Sequence, residues 1–175
     1  KPKLSIDNTE LECVTSFDFL GLTIDQNLNW THHTTKVRNK ISRSMGIINR
    51  LKHFLPIGAK LTLYSSLVLP YLNYNLLLWG HQGNKIFKIQ KKIIRILTCS
   101  SYNAHTEPLF KLLNILKVND MYKLSKLKFY YKHVNKLLPL SFQSVEYIPI
   151  SDTHSYETRL NNQLSPKIGR SLGDP

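Results

Sequence analysis

The chain has 175 residues, the length of one ordinary domain, which excludes two full catalytic domains. Its 24 lysines and arginines outweigh 11 acidic residues and give a formal net charge of +13, which favours a polyanionic partner. The longest apolar run, Tyr74 to Trp79, is far shorter than the roughly 20 residues of a spanning helix, so no membrane partner is expected. The sequence starts without methionine or a signal peptide, and we expect a piece of a longer intracellular protein.

The N-terminal part is predicted to be β structure followed by one long helix. Short apolar runs between Leu4 and Ile24 indicate a small hairpin or meander. Beyond Asn29 the apolar spacing changes to four and three, which is typical of one helical stripe. This stripe consists of Val37, Ile41, Met45, Ile48, Leu51 and Leu55. Pro56 is expected to end the helix.

Three further apolar segments follow along the chain. Ile57–Leu69 is predicted to be a second helix, and Pro70 is expected to break or kink it. Tyr71–Trp79 is apolar nearly all round and is predicted to be the most buried helix. Asn84 is placed to cap an amphipathic helix that runs to Thr98. Its apolar stripe is Ile86, Ile89, Ile93 and Ile96.

The last predicted helices run from Thr106 to Leu113 and from Asn119 or Asp120 to Leu138. The residues expected to face inward on the longer one are Leu124, Leu127, Tyr131 and Val134. From residue 139 the apolar period is lost. We therefore predict a mainly α fold: a β segment over 1–29, a helical bundle over 30–138, and an extended or poorly ordered tail over 139–175.

No catalytic or metal site is predicted. The acidic residues are scattered, there is no adjacent Asp-Asp pair, and Asp18 is interpreted as a solvated or turn-capping residue. The pair His32 and His33 is interpreted as an exposed helix start, because adjacent helical side chains point about 100° apart and cannot readily share one ion. Cys13 and Cys99 are expected to be buried thiols rather than a disulfide.

Basic residues recur on three predicted helices. The candidate nucleic-acid-binding residues are Lys36, Lys40 and Arg43, then Lys85, Lys88, Lys92 and Arg95, then Lys123 and Lys126. A basic helix face is usually only solvated, but three faces of one sign repel each other unless something neutralises them, and phosphate is the natural candidate. Tyr102, Tyr122, Tyr130 and Tyr131 lie among these cations and can stack on bases, although core packing is the commoner role of such residues.

Several short blocks occur together in an order typical of one protein family. They are Phe17–Asp25 with Leu28-Asn29-Trp30, Leu63-Tyr64 with Leu67–Tyr74, Leu78-Trp79-Gly80, Ile89–Leu97, His105–Phe110 and Tyr156–Arg159. This series resembles the region after the catalytic palm in jockey-like LINE (non-LTR) retrotransposon reverse transcriptases. The resemblance implies a helical thumb-like region that follows a strand.

The resemblance also implies a parent polyprotein that copies RNA into DNA with magnesium held by palm aspartates, in the nucleus or cytoplasm. RNA and DNA, as template-primer, would be the partners. The aromatic-x-Asp-Asp palm motif is missing here, so the fragment itself is expected to be inactive. By the same resemblance Phe19, Leu20 and Gly21 occupy the place of the primer grip, although Gly21 can equally be an ordinary strand glycine.

Two other functions fit the sequence. One is a basic helical protein-interaction or structural domain that docks on an acidic partner. The other is a helix-turn-helix DNA reader, which requires a short turn between two helices and a polar base-reading face. No such face is clear in the sequence.

Overall fold

The computed structural model describes residues 5–6, 9–10, 12–143, 147–149 and 164–166. It is mainly α-helical and starts with short antiparallel strand pairs, which confirms the predicted fold class. The strands are β1 (Ser5–Ile6), β2 (Thr9–Glu10), β3 (Ser16–Phe19), β4 (Leu22–Asp25), β5 (Tyr147–Pro149) and β6 (Leu164–Pro166). The helices are α1 (Thr31–Leu51), α2 (Ile57–Leu67), α3 (Leu69–Asn73), α4 (Leu76–Trp79), α5 (Asn84–Leu97), α6 (Thr106–Leu112), α7 (Val118–Val134) and α8 (Leu140–Gln143).

The chain forms two compact units, Lys1–Lys126 and Leu127–Pro175. In the second unit β5 pairs antiparallel with β6, and the ring of Phe129 meets that of Phe142 edge to face at 6.0 Å. The prediction of a poorly ordered tail falls largely on residues 144–146, 150–163 and 167–175, which lie outside the described residues.

The core of the first unit lies where α1 and α5 pack together, with α2, α3 and α6 against them. Most of the apolar stripes predicted for α1 and α5 point into it: Ile41, Ile48, Ile86 and Ile93 are completely or almost completely buried. Leu51 is exposed and Leu55 lies beyond the end of α1, so the prediction that this helix continues to Pro56 is wrong. Such a stripe stabilises a helix because its side chains leave water only when the helix packs against a partner.

A buried glutamine connects three elements of this unit. The Gln90 side-chain Nε2 on α5 donates to the Tyr64 hydroxyl at 3.0 Å and to the Leu116 carbonyl at 2.9 Å. Its Oε1 accepts from the Val118 N–H at 2.9 Å, at the start of α7. All of the amide's strong groups are thus engaged without water, which is the condition under which a polar side chain tolerates burial.

The predicted single helix Tyr71–Trp79 is wrong. The chain leaves α3 at Tyr74, passes through Asn75 in the left-handed region at φ 47°, and begins α4 at Leu76. Asparagine tolerates this conformation better than most residues, so it can separate two apolar turns. The break leaves Tyr71 and Tyr74 exposed while Trp79 is fully buried.

The predicted inner face of the last long helix is also wrong. Only Val118 and Met121, in the first turn of α7, are buried, whereas Leu124, Leu127, Tyr131 and Val134 are exposed. Apolar spacing shows which residues share a face, but it does not show whether another element covers that face. The helix also starts at Val118, before the predicted caps, and ends at Val134 rather than Leu138.

Two smaller predictions need correction. Asn84 is the first residue of α5 and makes no capping bond; Gly83 precedes it. Cys13 and Cys99 are both free, as expected, but both are exposed. Cys99 follows α5 and lies in the left-handed region at φ 51°. Among the described residues, no helix combines the length and the apolarity needed to cross a bilayer.

Candidate nucleic-acid interface

The tip of the second hairpin is a tight turn at Leu20 and Gly21. Phe19 pairs with Leu22, so these two residues alone join β3 to β4. Both have positive φ, 47° and 78°, as a type I′ turn requires, and this turn matches the twist of the strands. Gly21 adopts the conformation without strain, so it is a turn residue rather than the ordinary strand glycine of the alternative interpretation. The left-handed conformation is sterically unfavourable for Leu20. Leu20 is also 74% exposed.

A tyrosine from the other side of the site holds this turn. The Tyr74 hydroxyl donates a hydrogen bond to the Leu20 carbonyl, and the Tyr74 ring lies against Gly21. The Tyr74 carbonyl in turn accepts from the indole Nε1 of the buried Trp79 at 2.9 Å. The exposed turn is therefore connected to the core, and the break at Asn75 is what places Tyr74 between the two.

The basic edge of α1 runs beside the turn. Lys36, Lys40 and Arg43 share one face because they are spaced four and three residues apart. Both carboxylate oxygens of Asp18 on β3 lie 2.8 Å from Lys36 Nζ. The Lys40 ammonium lies 5.5 Å from the centre of the Tyr71 ring. Arg43 is exposed on the next turn of the same face.

Asp18 is solvent-exposed, as expected from the sequence, and its carboxylate also accepts two side-chain hydrogen bonds. It accepts from Lys36 and, at 2.6 Å, from the Thr23 hydroxyl across the hairpin. These two hydrogen bonds, the one from Lys36 first, hold the pKa of the Asp18 carboxyl below its usual value. An ion pair this exposed contributes little stability, so Lys36 can exchange Asp18 for another anion at small cost.

The turn, α1 and α3 together surround a surface pocket of about 260 Å³. Its lining comprises Gly21, His33, Lys36, Val37, Lys40, Pro70, Tyr71 and Tyr74. The pocket thus brings together the predicted primer-grip-like glycine and two of the predicted phosphate-binding cations. It is positively charged on the α1 side and aromatic on the α3 side.

His33 is buried in this pocket, so the prediction of an exposed helix start is wrong for His33, although His32 is exposed. Its Nδ1 accepts from the Thr23 backbone N–H at 3.3 Å, which leaves the proton of the neutral ring on Nε2. Nε2 is buried and has no hydrogen-bond partner among the described residues. The pKa of His33 is lowered, foremost by burial and then by the charges of Lys36 and Lys40, while Asp18 opposes the shift.

The start of α1 that positions His33 is held by a carboxylate. Asp25, buried at the end of β4, accepts from the backbone N–H groups of Asn27, Asn29 and Trp30 at 3.0 to 3.2 Å. These bonds satisfy donors that precede the helix, and the negative charge suits its N-terminus. The Trp30 ring then meets the His33 ring edge to face at 6.2 Å.

The remaining predicted cations lie outside the pocket. Lys85, Lys88 and Lys92 are exposed on α5. Arg95 is half-buried, and its Nε donates to the Ala104 carbonyl at 2.9 Å, so part of its guanidinium has a structural partner. On α7, Lys123 lies 3.6 Å from Asp120, and Lys126 lies over the Tyr122 ring at 4.8 Å. Tyr122 itself packs closely against Gly80, which is a structural role.

The described residues do not fit a magnesium site. Nowhere in the described part of the chain do three histidine, cysteine or acidic side chains gather closely enough to hold a metal ion. Asp18 and Asp25 are engaged by the hydrogen bonds described above. The side chains that this surface presents are positively charged lysines and aromatic rings.

Comparison with known proteins finds two curated polymerases that are similar to the chain. The chain is 26% identical over 127 residues to the RNA-directed DNA polymerase from mobile element jockey of Drosophila melanogaster. It is 23% identical over 131 residues to the probable RNA-directed DNA polymerase from transposon X-element of the same organism. The chain is related to jockey-like LINE reverse transcriptases. Each alignment covers 68% of the chain but only 14% of the relative, and no family model or solved structure matches significantly.

Three residues of this surface were not predicted from the sequence: His33, Tyr71 and Tyr74. A signal existed for His33, because it precedes Val37 by four residues and Ile41 by eight and so continues the apolar stripe of α1. The two tyrosines were not identified because the apolar segment Tyr71–Trp79 has the pattern of one continuous helix. Their exposure depends on the left-handed Asn75, and no periodicity indicates that conformation.

Proposed function

We propose that the chain is a thumb-like region of a retrotransposon RNA-directed DNA polymerase, and that it holds the template-primer. The observation that carries the proposal is the pocket that unites the Leu20-Gly21 turn with Lys36 and Lys40. The similarity to two RNA-directed DNA polymerases and the net charge of +13 support the same assignment. The chain spans only 14% of each relative. Its proposed partner is therefore the rest of a longer polypeptide.

Phosphate contact is the principal interaction of the proposed interface. Lys36, Lys40 and Arg43 follow one edge of α1, which suits the repeating charges of a nucleic-acid backbone. Lysine donors reach phosphate oxygens without reading bases, so binding depends little on sequence. Lys85, Lys88 and Lys92 on α5, with Lys123 and Lys126 on α7, add positive potential that draws the polyanion toward the chain.

The turn at Phe19, Leu20 and Gly21 has the proposed role of a primer grip. A backbone turn supports a nucleic-acid end best when it is both exposed and fixed. Leu20 is exposed, and Tyr74 fixes the turn through the Leu20 carbonyl. The ring of Tyr71, 38% exposed beneath Lys40, offers a flat surface on the same side of the pocket.

Nucleotide transfer itself is assigned to other parts of the longer polymerase. In-line phosphoryl transfer requires carboxylates that hold divalent metal, and no such group exists among the described residues. Magnesium therefore belongs to the proposed parent enzyme. A clean preparation of this chain, given primer-template, magnesium and deoxynucleotides, is expected not to extend the primer.

Equilibrium binding tests the proposal. Fluorescence anisotropy at low salt would compare a labelled RNA–DNA duplex, duplexes of unrelated sequence, and an acidic polypeptide such as polyglutamate. We expect all the duplexes to bind with similar affinity. The proposal fails if no duplex binds, or if polyglutamate binds and the duplexes do not, since that result favours a protein-interaction domain.

A further inference from the structure

The inference concerns the floor of the pocket and rests on the proposed function. We propose that the pocket is a seat for one phosphate group of the nucleic-acid backbone, and that the Nε2–H of His33 donates a hydrogen bond to a phosphate oxygen there. His33 would thereby be a binding residue that adds affinity without adding charge.

The first support is an unsatisfied donor. Because Thr23 occupies Nδ1, the neutral imidazole presents a proton on Nε2, and this atom has no acceptor among the described residues. A buried donor without a partner is costly, and folded proteins keep few of them outside sites that bind something. His33 is 3% exposed and lines the pocket.

The second support is the charge around that donor. Lys36 and Lys40 line the same pocket, and both act electrostatically on His33. Their positive charge disfavours a further cation in the pocket and favours an anionic acceptor for the His33 donor. Asp18 is the one described acidic group that acts on His33, and Lys36 already pairs with it. Burial and both lysines keep the pKa of His33 low, so the ring stays a neutral donor near pH 7.

The third support is size. The pocket measures about 260 Å³, whereas sites for drug-sized ligands measure roughly 300 to 1,000 Å³, so one small group suits it better than a complete nucleotide. Nε2 is covered in the unliganded chain. Lys36 and Lys40 have exposed, flexible side chains, and these lining groups can shift when a phosphate enters.

Nuclear magnetic resonance of the folded, full chain tests the seat directly. Inorganic phosphate would be titrated into the chain while the imidazole nitrogens of His33 are followed. We expect the Nε2 and Hε2 signals to shift with saturation, and the Nδ1 signal to move much less because Thr23 remains its partner. Absence of a shift at Nε2 up to the highest phosphate concentration would overturn the inference.

Two substitutions then connect the seat to nucleic acid. His33→Gln places an amide donor about where Nε2 lies, whereas His33→Asn reaches only as far as Nδ1. We expect His33→Asn to lower duplex affinity about tenfold at every salt concentration, with the salt dependence unchanged because no charge is removed. His33→Gln should recover most of the loss.

The outcomes separate this inference from the proposed function. If His33→Asn binds the duplex as the parent does, the seat is not used by the backbone and the inference fails, while the proposed function stands. If phosphate shifts Nε2 but no duplex binds, the seat takes free phosphate and the proposed function fails. Because the phosphate titration uses the parent chain, it decides the matter even if a variant does not fold.

Discussion

The Tyr74 hydroxyl donates to the Leu20 carbonyl across 54 residues of sequence, and so connects the hairpin turn to the segment between α3 and α4. Tyr74→Phe removes this bond and keeps the ring. We expect the free energy of unfolding to fall by about 0.5 to 1.5 kcal/mol. Hydrogen exchange should speed up at the turn, and duplex affinity should fall because the turn is less fixed.

Denaturant unfolding, amide exchange and duplex binding measure these effects. Tyr102→Phe is the matched control, because Tyr102 is exposed and lies away from the pocket. If Tyr74→Phe and Tyr102→Phe behave alike in all three measurements, the turn is held by something other than Tyr74.

The core face of α5 can be tested at Ile93, which is fully buried. Ile93→Ala is expected to cost about 2 to 5 kcal/mol through lost burial and a residual cavity. Lys92→Ala, the adjacent exposed residue, should change stability by less than about 0.5 kcal/mol. Thermal unfolding of both variants provides the measurement. Equal melting curves would show that the core face of α5 is wrongly assigned.

The basic residues of α5 differ in their expected roles. Lys85→Gln, Lys88→Gln and Lys92→Gln together should leave helix content and stability nearly unchanged, since glutamine has similar helix propensity. Arg95→Gln should destabilise the chain by about 1 to 2 kcal/mol, because the Ala104 carbonyl loses a charged donor. Circular dichroism and denaturant unfolding separate the two variants. Identical stabilities would contradict the structural role of Arg95.

The stability of the chain should depend on pH through His33. Well above pH 6.5 the ring is neutral in both the folded and the unfolded chain, so it contributes nothing to the pH dependence. Below 6.5 the unfolded chain takes up the proton first, because burial, Lys36 and Lys40 lower the pKa of the folded ring. The free energy of unfolding should therefore fall as the pH drops from 6.5 toward the folded pKa.

Comparing the parent with His33→Gln isolates this effect, because glutamine does not titrate. The carboxyls of Asp18 and Glu107, whose pKa values are lowered chiefly by hydrogen bonds from Lys36 and Lys117, stabilise the chain at neutral pH. Their contribution disappears only below about pH 4. A parent and a variant with parallel stability curves between pH 5 and 7 would contradict the assignment.

The features of the fold that could be predicted from the sequence are those for which a local residue pattern determines the structure. The spacing of Ile41 and Ile48 places one face of α1 in the core, and the same holds for Ile86 and Ile93 on α5. Pro70 correctly indicated a break between helices. These signals are local, and in α1 and α5 the tertiary packing agrees with them.

The parts that did not follow depend on contacts between distant residues. Asn75 breaks an apolar run by one backbone conformation, and Arg95 donates a hydrogen bond to a carbonyl nine residues later in the chain. The apolar stripe of α7 is exposed. Periodicity shows which residues share a face, but it does not show whether another element packs against that face. Only part of the candidate site was predicted from the sequence. Lys36, Lys40 and Gly21 were predicted as site residues, but the presence of His33 in the same pocket was not.

Affinity for a primer-template duplex as a function of salt tests the central claim most directly. With about six phosphate contacts, log affinity should fall against log salt with a slope of roughly −4 to −5. Lys36→Gln with Lys40→Gln should make the slope shallower by roughly 1.5, at about 0.7 to 0.9 per lost contact. Arg38→Gln with Lys111→Gln removes the same charge away from the pocket and should keep the parent slope. Salt-independent binding, or equal slopes for the two double variants, would contradict the proposed interface.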